Sequence, residues 1–182
     1  NFDTRKQLLE YDDVANEQRK VIYEQRNRLM EVDDISDTIG VARTEVVNEL
    51  IDVHLPPESL EEQWDIPSLE KEVEARFGLA MPVGQWLAED DALHEEPLCQ
   101  RIESEISSAY EQKAAGVGEE VIRHLEKAIM LRVLDEQWKD HLAQMDHLRQ
   151  GIGLRGYAQK NPKQEYKREA FGMFTEVLDR VK

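Results

Sequence analysis

The chain has 182 residues, 34% of them charged, and a mean hydropathy of −0.66. This length allows one sizeable domain or two small ones, and no apolar run approaches the ~20 residues of a bilayer-spanning helix. We therefore expect a soluble protein with long solvated faces, without a transmembrane segment or a signal peptide. The chain opens on Asn1 and both ends have a helical pattern, so we expect it to be a segment of a longer protein. The single cysteine, Cys99, suits a reducing compartment.

The net charge of −16 is distributed unevenly along the sequence. Residues 1–32 hold 6 basic and 7 acidic side chains, residues 33–118 hold 5 and 21, and residues 119–182 hold 12 and 11. The acidic excess of the middle region should repel nucleic acid and anionic lipid. The charge pattern therefore predicts three regions, with a nearly neutral last region that ends in basic residues.

The first region predicts one uninterrupted helix from residue 2 to about 31. Apolar and small residues recur in it at steps of three and four, as in a helix that packs along one face. A cluster of capping residues at 32–37 then predicts a domain boundary. The predicted stripe consists of Leu8, Tyr11, Ala15, Gln18, Ile22 and Leu29.

The middle region predicts a small acidic helical domain. A helix from about Asp37 to Val53 should turn Ile39, Val46, Leu50 and Val53 inward. Ser59 and Glu62 have capping-box spacing, and Pro67 and Gly78 should begin and end the next helix. A short apolar turn at 82–87 and a helix at about 94–115 follow. The expected core anchors are Trp64, Phe77 and Trp86.

The last region predicts an antiparallel pair of helices. One runs from 119 to 149 with a stripe that includes Leu134, Trp138 and Met145, and the other begins near Pro162. An isolated pair buries little surface, so we expect it to pack on the first helix as a three-helix arrangement. Since no stretch alternates apolar and polar residues, the predicted fold class is all-α.

A glycine-hinged basic tip, at about 149–161, is predicted to join these two helices. Gly151, Gly153 and Gly156 should stop the first helix, and Asn161-Pro162 should cap and begin the second. Residues 149–168 hold six basic and one acidic side chains, a net charge of +5. Tyr157 lies at the middle of the tip. Such a tip is consistent with nucleic-acid contact, with docking on an acidic protein surface, or with a solvated loop.

Catalytic and cofactor chemistry finds little support in the sequence. The glycines at 151, 153 and 156 match a dinucleotide-binding spacing, but a helix precedes them where that motif needs a strand, and no Lys-Ser/Thr pair follows as in a P-loop. His141 and His147 are six residues apart, so we interpret them as ordinary surface or interface histidines, not metal ligands. No arrangement predicts acid–base or nucleophilic catalysis. We expect no cofactor and no metal in this chain.

Four motifs resemble the SecA preprotein translocase ATPase family of bacteria, and the resemblance covers the entire chain. The longest are Leu9-Glu-Tyr-Asp-Asp-Val-Ala-Asn-Glu-Gln-Arg19 and Leu154-Arg-Gly-Tyr-Ala-Gln-Lys-Asn-Pro-Lys-Gln-Glu-Tyr-Lys-Arg168. Trp64-Asp-Ile-Pro67 and Leu134-Asp-Glu-Gln-Trp-Lys-Asp-His-Leu142 are similar to the same family. The resemblance implies that residues 1–31 belong to the helical scaffold, 32–118 form the helical wing, and 119–182 form the two-helix finger.

The resemblance also implies a mechanical role in preprotein translocation. ATP and Mg²⁺ would bind to nucleotide-binding domains outside this chain, which itself would not be an enzyme. The finger tip would enter the SecY channel from the cytoplasmic side of the inner membrane, to which the parent protein would bind peripherally. Contact with unfolded preprotein is implied for Tyr157, Leu154 and Ile152, and channel docking for Arg149, Arg155 and Lys160.

Two other functions remain open on the sequence alone. A passive helical interaction module would bind folded partners without moving them. A nucleic-acid-binding hairpin would use the basic tip, although the acidic middle region opposes this.

Overall fold

The structure is a computed structural model that describes residues 2–155 and 161–182. Its described part contains seven α-helices, one short 3-10 helix at Glu61–Gln63 and no strand, which confirms the predicted all-α fold. The chain divides into two compact units, residues 1–35 with 123–182 and residues 36–122. The α-helices are α1 (Phe2–Glu31), α2 (Ser36–His54), α3 (Ile66–Phe77), α4 (Val83–Glu89), α5 (Glu95–Val117), α6 (Glu119–Arg155) and α7 (Pro162–Arg180).

Helices α1, α6 and α7 form the three-helix arrangement that the sequence predicts. Two apolar clusters lie along it, and each takes residues from all three helices. Burying one face of each helix is what stabilises such long amphipathic helices in water. The buried members are Met145, Leu148, Ile152, Tyr166 and Ala170 in one cluster and Ile22, Leu134, Trp138 and Phe174 in the other.

The contacts of α1 fix the directions of the three helices. From Asp12 to Gln18 to Arg26, its partners on α6 fall from Arg149 to His141 to Asp135, so α1 and α6 are antiparallel. Its partners on α7 rise instead, from Tyr166 beside Tyr11 to Ala170 beside Gln18, so α1 and α7 are parallel. The two helices of the hairpin are therefore antiparallel to each other.

The second unit packs α2–α5 around one apolar core. Asp65 caps α3 by accepting a hydrogen bond from the Ser68 amide, Pro67 lies in the first turn, and Gly78 ends the helix at a positive φ of 64°. These are the start and stop that the sequence predicts for α3. Its three predicted anchors, Trp64, Phe77 and Trp86, are partly buried against the core.

Two local predictions in this unit are wrong. Val53 is 71% exposed, whereas Val47 and Ile51 are buried beside Leu50, so α2 turns a different set of β-branched residues inward. The short helix predicted after Ser59 is present as the 3-10 helix, but its N-cap is Leu60 rather than Ser59. The Ser59 Oγ instead accepts a hydrogen bond from Trp64 Nε1 at 3.0 Å. The indole needs an acceptor when it packs against the core, and the Ser59 hydroxyl supplies it.

Candidate functional site

The end of the three-helix unit near the α6–α7 connection is the candidate functional site. Here α6 continues to Arg155 rather than ending at Arg149, and it passes through Gly151 and Gly153 without a break. The prediction that these two glycines stop the helix is therefore wrong, whereas their role as hinges stays a prediction. A glycine lowers helix stability by about 1 kcal/mol relative to alanine, but burial of one large aliphatic side chain contributes about 1.5–3 kcal/mol. Leu148 and Ile152, which flank the first glycine, supply such burial.

Ile152, predicted to contact preprotein, is a packing residue in this structure. It is only 2% exposed and lies in the cluster of Met145 and Tyr166. The Tyr166 ring also meets the Tyr11 ring edge-on, with 4.6 Å between centroids. Ile152 thus holds α6 on its neighbours, and its side chain is unavailable to a partner in this conformation.

Two cations near the tip pair with carboxylates of α1. Arg149 Nη1 donates to Asp12 Oδ1 at 3.1 Å, and Lys163 Nζ lies 2.6 Å from Glu10 Oε2. The Lys163 hydrogen bond is the main reason why the pKa of Glu10 falls below its usual value. Arg149 was predicted to dock on a channel, but here it ties α6 to α1. The basic residues of this region are therefore not all available to an acidic partner.

The start of α7 is built as the sequence predicts. Asn161 is the N-cap, and its side-chain oxygen accepts a hydrogen bond from the Lys163 amide at 3.1 Å. Pro162 occupies the first turn, where its missing N–H removes nothing from the helix. This cap fixes where the chain re-enters the three-helix unit.

The other predicted tip residues, Gly156, Tyr157 and Lys160, lie outside the described residues. The same holds for the side chains of Leu154 and Arg155, although their backbone belongs to α6. Their roles at the tip stay predictions.

A buried polar network that the sequence did not predict lies midway along α6. His141 was interpreted as a surface or interface histidine, but it is 0% exposed, which corrects the surface reading. Its Nε2 lies 2.6 Å from Gln18 Oε1, and Gln18 Nε2 donates to the Ala170 carbonyl at 3.1 Å. One amide side chain therefore links all three helices at a single level. The spacing of Trp138, His141, Met145 and Leu148, in steps of three, four and three, is the signal that would have placed His141 inside.

The hydrogen bonds indicate the tautomer of His141. Because Gln18 uses its amide nitrogen as a donor, its oxygen accepts, and the proton of a neutral imidazole must lie on Nε2. His141 Nδ1 is buried without a hydrogen-bond partner in the described part of the chain. Trp138 and Phe174 lie around the ring, with centroids 5.5 and 5.7 Å away. Burial, assisted by the charge of Arg180, lowers the pKa of His141 below its ordinary value.

The described residues contain no group of three or more His, Cys, Asp or Glu side chains placed to hold a metal ion. No described helix is long and apolar enough to cross a membrane. Burial raises the pKa of the Cys99 thiol, so the reactive thiolate is disfavoured at this position.

This architecture defines an all-helical scaffold module, in which a long helix binds both members of an antiparallel pair, together with a separately packed unit of shorter helices. The chain belongs to the SecA Wing and Scaffold domain family, whose profile matches residues 1–182. It is 61% identical over 182 residues to the protein translocase subunit SecA of Coxiella burnetii (strain RSA 493 / Nine Mile phase I). It is 58% identical over the same length to the protein of that name from Nitrosococcus oceani (strain ATCC 19707 / BCRC 17464 / JCM 30415 / NCIMB 11848 / C-107). In each case the match covers 100% of this chain and 20% of the relative.

Proposed function

We propose that this chain is a mechanical and regulatory part of a bacterial preprotein translocation motor. The observation that carries the proposal is 58–61% identity over the whole chain to two proteins named translocase subunits. ATP and Mg²⁺ bind to nucleotide-binding domains elsewhere in the parent protein, and this chain couples their cycle to the movement of unfolded preprotein through the SecY channel. The parent protein works in the cytoplasm, peripherally on the inner membrane.

The connection between α6 and α7 is the part of the chain that meets the substrate. Tyr157 is the first candidate, because a tyrosine presses on apolar side chains and can form a hydrogen bond with extended backbone. Leu154 adds apolar contact, and Arg155 and Lys160 meet the channel. Ile152 and Arg149 instead hold the base of the tip, which agrees with their burial and ion pair.

A tyrosine substitution in the full-length parent protein tests this proposal. We expect Tyr157→Ala to lower preprotein translocation at least about tenfold, as the loss of a well-placed aromatic contact does at other interfaces, while ATP binding changes little. Tyr157→Phe should retain most activity, since the ring remains. Phe171→Ala, at an aromatic side chain of α7 that is 72% exposed, is the matched control and should be neutral. An equal loss of translocation and ATP binding would overturn the assignment.

A passive interaction module is the alternative, and cross-linking separates the two. A photoreactive group at position 157 should capture an unfolded chain arrested in the channel if the tip moves substrate. Capture of folded partners alone would favour the passive module. The isolated chain is expected to release no phosphate from ATP.

A further inference from the structure

A small cavity in the unit of residues 36–122 has the composition of a recognition site. Its volume is about 100 Å³, and it lies where α2, the end of α3 and α5 meet. Its lining residues combine aromatic and aliphatic side chains with two cations: Arg43, Phe77, Leu79, Ile106, Tyr110 and Lys113. It shares no residue with the tip and does not depend on the proposed function.

The Arg43 side chain is held in place but retains an unused donor. Its Cζ lies 4.6 Å from the centroid of the Tyr110 ring, a cation–π contact that fixes the guanidinium plane. Its Nε is buried and has no hydrogen-bond partner among the described residues. A buried donor without an acceptor is unfavourable in the free chain. The guanidinium also carries two terminal amino groups, for which a carboxylate is the preferred partner.

The charges of this region point to the same chemistry. Residues 33–118 contain only five basic side chains against 21 acidic ones, and two of the five line this cavity. Of the others, Arg76 pairs with Glu72 and Arg101 lies over the Trp86 ring. Two cations at one cavity favour a carboxylate there, while the acidic surroundings disfavour a ligand with several negative charges.

The size of the cavity decides what kind of ligand fits. Sites for whole small molecules measure about 300–1,000 Å³, and a 150 Å³ apolar cavity holds a single benzene. A cavity of about 100 Å³ therefore accepts one aliphatic side chain and leaves the rest of its ligand outside. We propose that this cavity binds a peptide segment in which an aliphatic side chain fills the apolar part and an adjacent carboxylate bonds to Arg43, with Lys113 beside it.

Peptide titrations of the 182-residue chain, followed by amide NMR, test the proposal. The probes are acetyl-Gly-Leu-Asp-Gly-amide, its Leu-Asn counterpart and its Ala-Asp counterpart. We expect the Leu-Asp peptide to shift amides around Arg43, Phe77 and Tyr110, and each counterpart to bind about tenfold more weakly. Equal binding of the Leu-Asn peptide, shifts elsewhere, or no binding in the millimolar range would overturn it.

Variants separate the site from general charge effects. Arg43→Gln should weaken the Leu-Asp peptide about tenfold, whereas Lys71→Gln, which removes the same charge from an exposed position of α3, should not. If Arg43→Gln fails to fold, Lys113→Gln at an exposed position replaces it and should weaken binding severalfold. Ala109→Leu fills the cavity from its own wall and should abolish binding while the chain stays folded. Unchanged binding in Lys113→Gln and Ala109→Leu would refute the site.

Discussion

At the scale of single residues, His141 is the most informative position in the three-helix unit. Its ring is buried between Trp138 and Phe174, and among the described residues its hydrogen-bond partner is Gln18. The imidazole is thereby kept neutral, because a charged ring would lose water without gaining a second acceptor. The His141 side chain acts as a buried hydrogen-bond donor to the Gln18 side chain of α1.

The neutral state of His141 predicts that acid weakens the fold. The pKa of His141 in the folded chain lies below 6.5. As the pH falls below about 6.5, the histidine therefore becomes protonated in the unfolded chain while it is still neutral in the folded chain. The free energy of unfolding should therefore be unaffected by this group above about pH 7.5. Between the two pKa values it should fall by up to about 1.4 kcal/mol per pH unit. Urea denaturation at a series of pH values measures this slope.

Two glutamine substitutions assign the slope to its residue. His141→Gln keeps a donor but does not titrate, so it should flatten the dependence of the free energy of unfolding on pH below about pH 7.5. His147→Gln, at an exposed position of the same helix, is the control for removing a histidine from α6. If both variants keep the wild-type slope, the acid sensitivity arises elsewhere.

At the scale of the helices, α6 shows how packing with neighbouring helices overrides the low helix propensity of glycine. Gly151 and Gly153 lie within it, and a methyl group added at either would meet nothing within 4 Å outside the local helix backbone. Gly78 differs, because its φ of 64° is one that other residues adopt only with strain.

Alanine substitutions at these glycines should therefore have opposite effects. Gly151→Ala and Gly153→Ala should each raise the free energy of unfolding by about 0.5–1 kcal/mol, since they lower the entropy of the unfolded chain and favour the helix. Gly78→Ala should lower it by about 1 kcal/mol or more. Chemical denaturation of the three variants measures these changes in the free energy of unfolding. Destabilisation by Gly151→Ala would mean that this glycine is a true hinge.

The sequence was a good guide where a regular pattern met a strong cap. The apolar steps of α1 and the Asn161-Pro162 start of α7 gave the observed bounds because local and tertiary preferences agree there. It failed at Gly151 and Val53, where neighbours distant in sequence decide the outcome. The contacts of Ile152 and Arg149 were not predictable for a related reason, since their partners Tyr166 and Asp12 lie on other helices. Periodicity describes one helix, and only packing reveals which residues share a contact.

At the scale of the whole molecule, two separate sets of buried residues support the fold. The unit of residues 36–122 has its own core around Val47, Leu69 and Leu98, whereas the clusters of α1, α6 and α7 contain none of these. Each unit therefore has enough apolar burial of its own to fold around.

A core truncation should consequently act locally. Leu98 is 0% exposed, so Leu98→Ala should cost about 2–5 kcal/mol in the unit of residues 36–122. Hydrogen exchange should then speed up for amides of α2, α3 and α5 and stay unchanged for α1 and α7. Equal acceleration in both units would show that they unfold together.

The hydrogen bonds that join His141, Gln18 and Ala170 also oppose sliding of α6 along α1. A shift of α6 along α1 by one helical turn, about 5.4 Å, would bring Met145 or Trp138 opposite Gln18. The amide would then lack its partner, at a cost of about 1–3 kcal/mol, and the pairs at Arg26 and Arg149 would separate too. A smaller shift of α6 would also separate His141 from Gln18, so sliding of either size loses this hydrogen bond. These contacts therefore oppose sliding of α6 along α1.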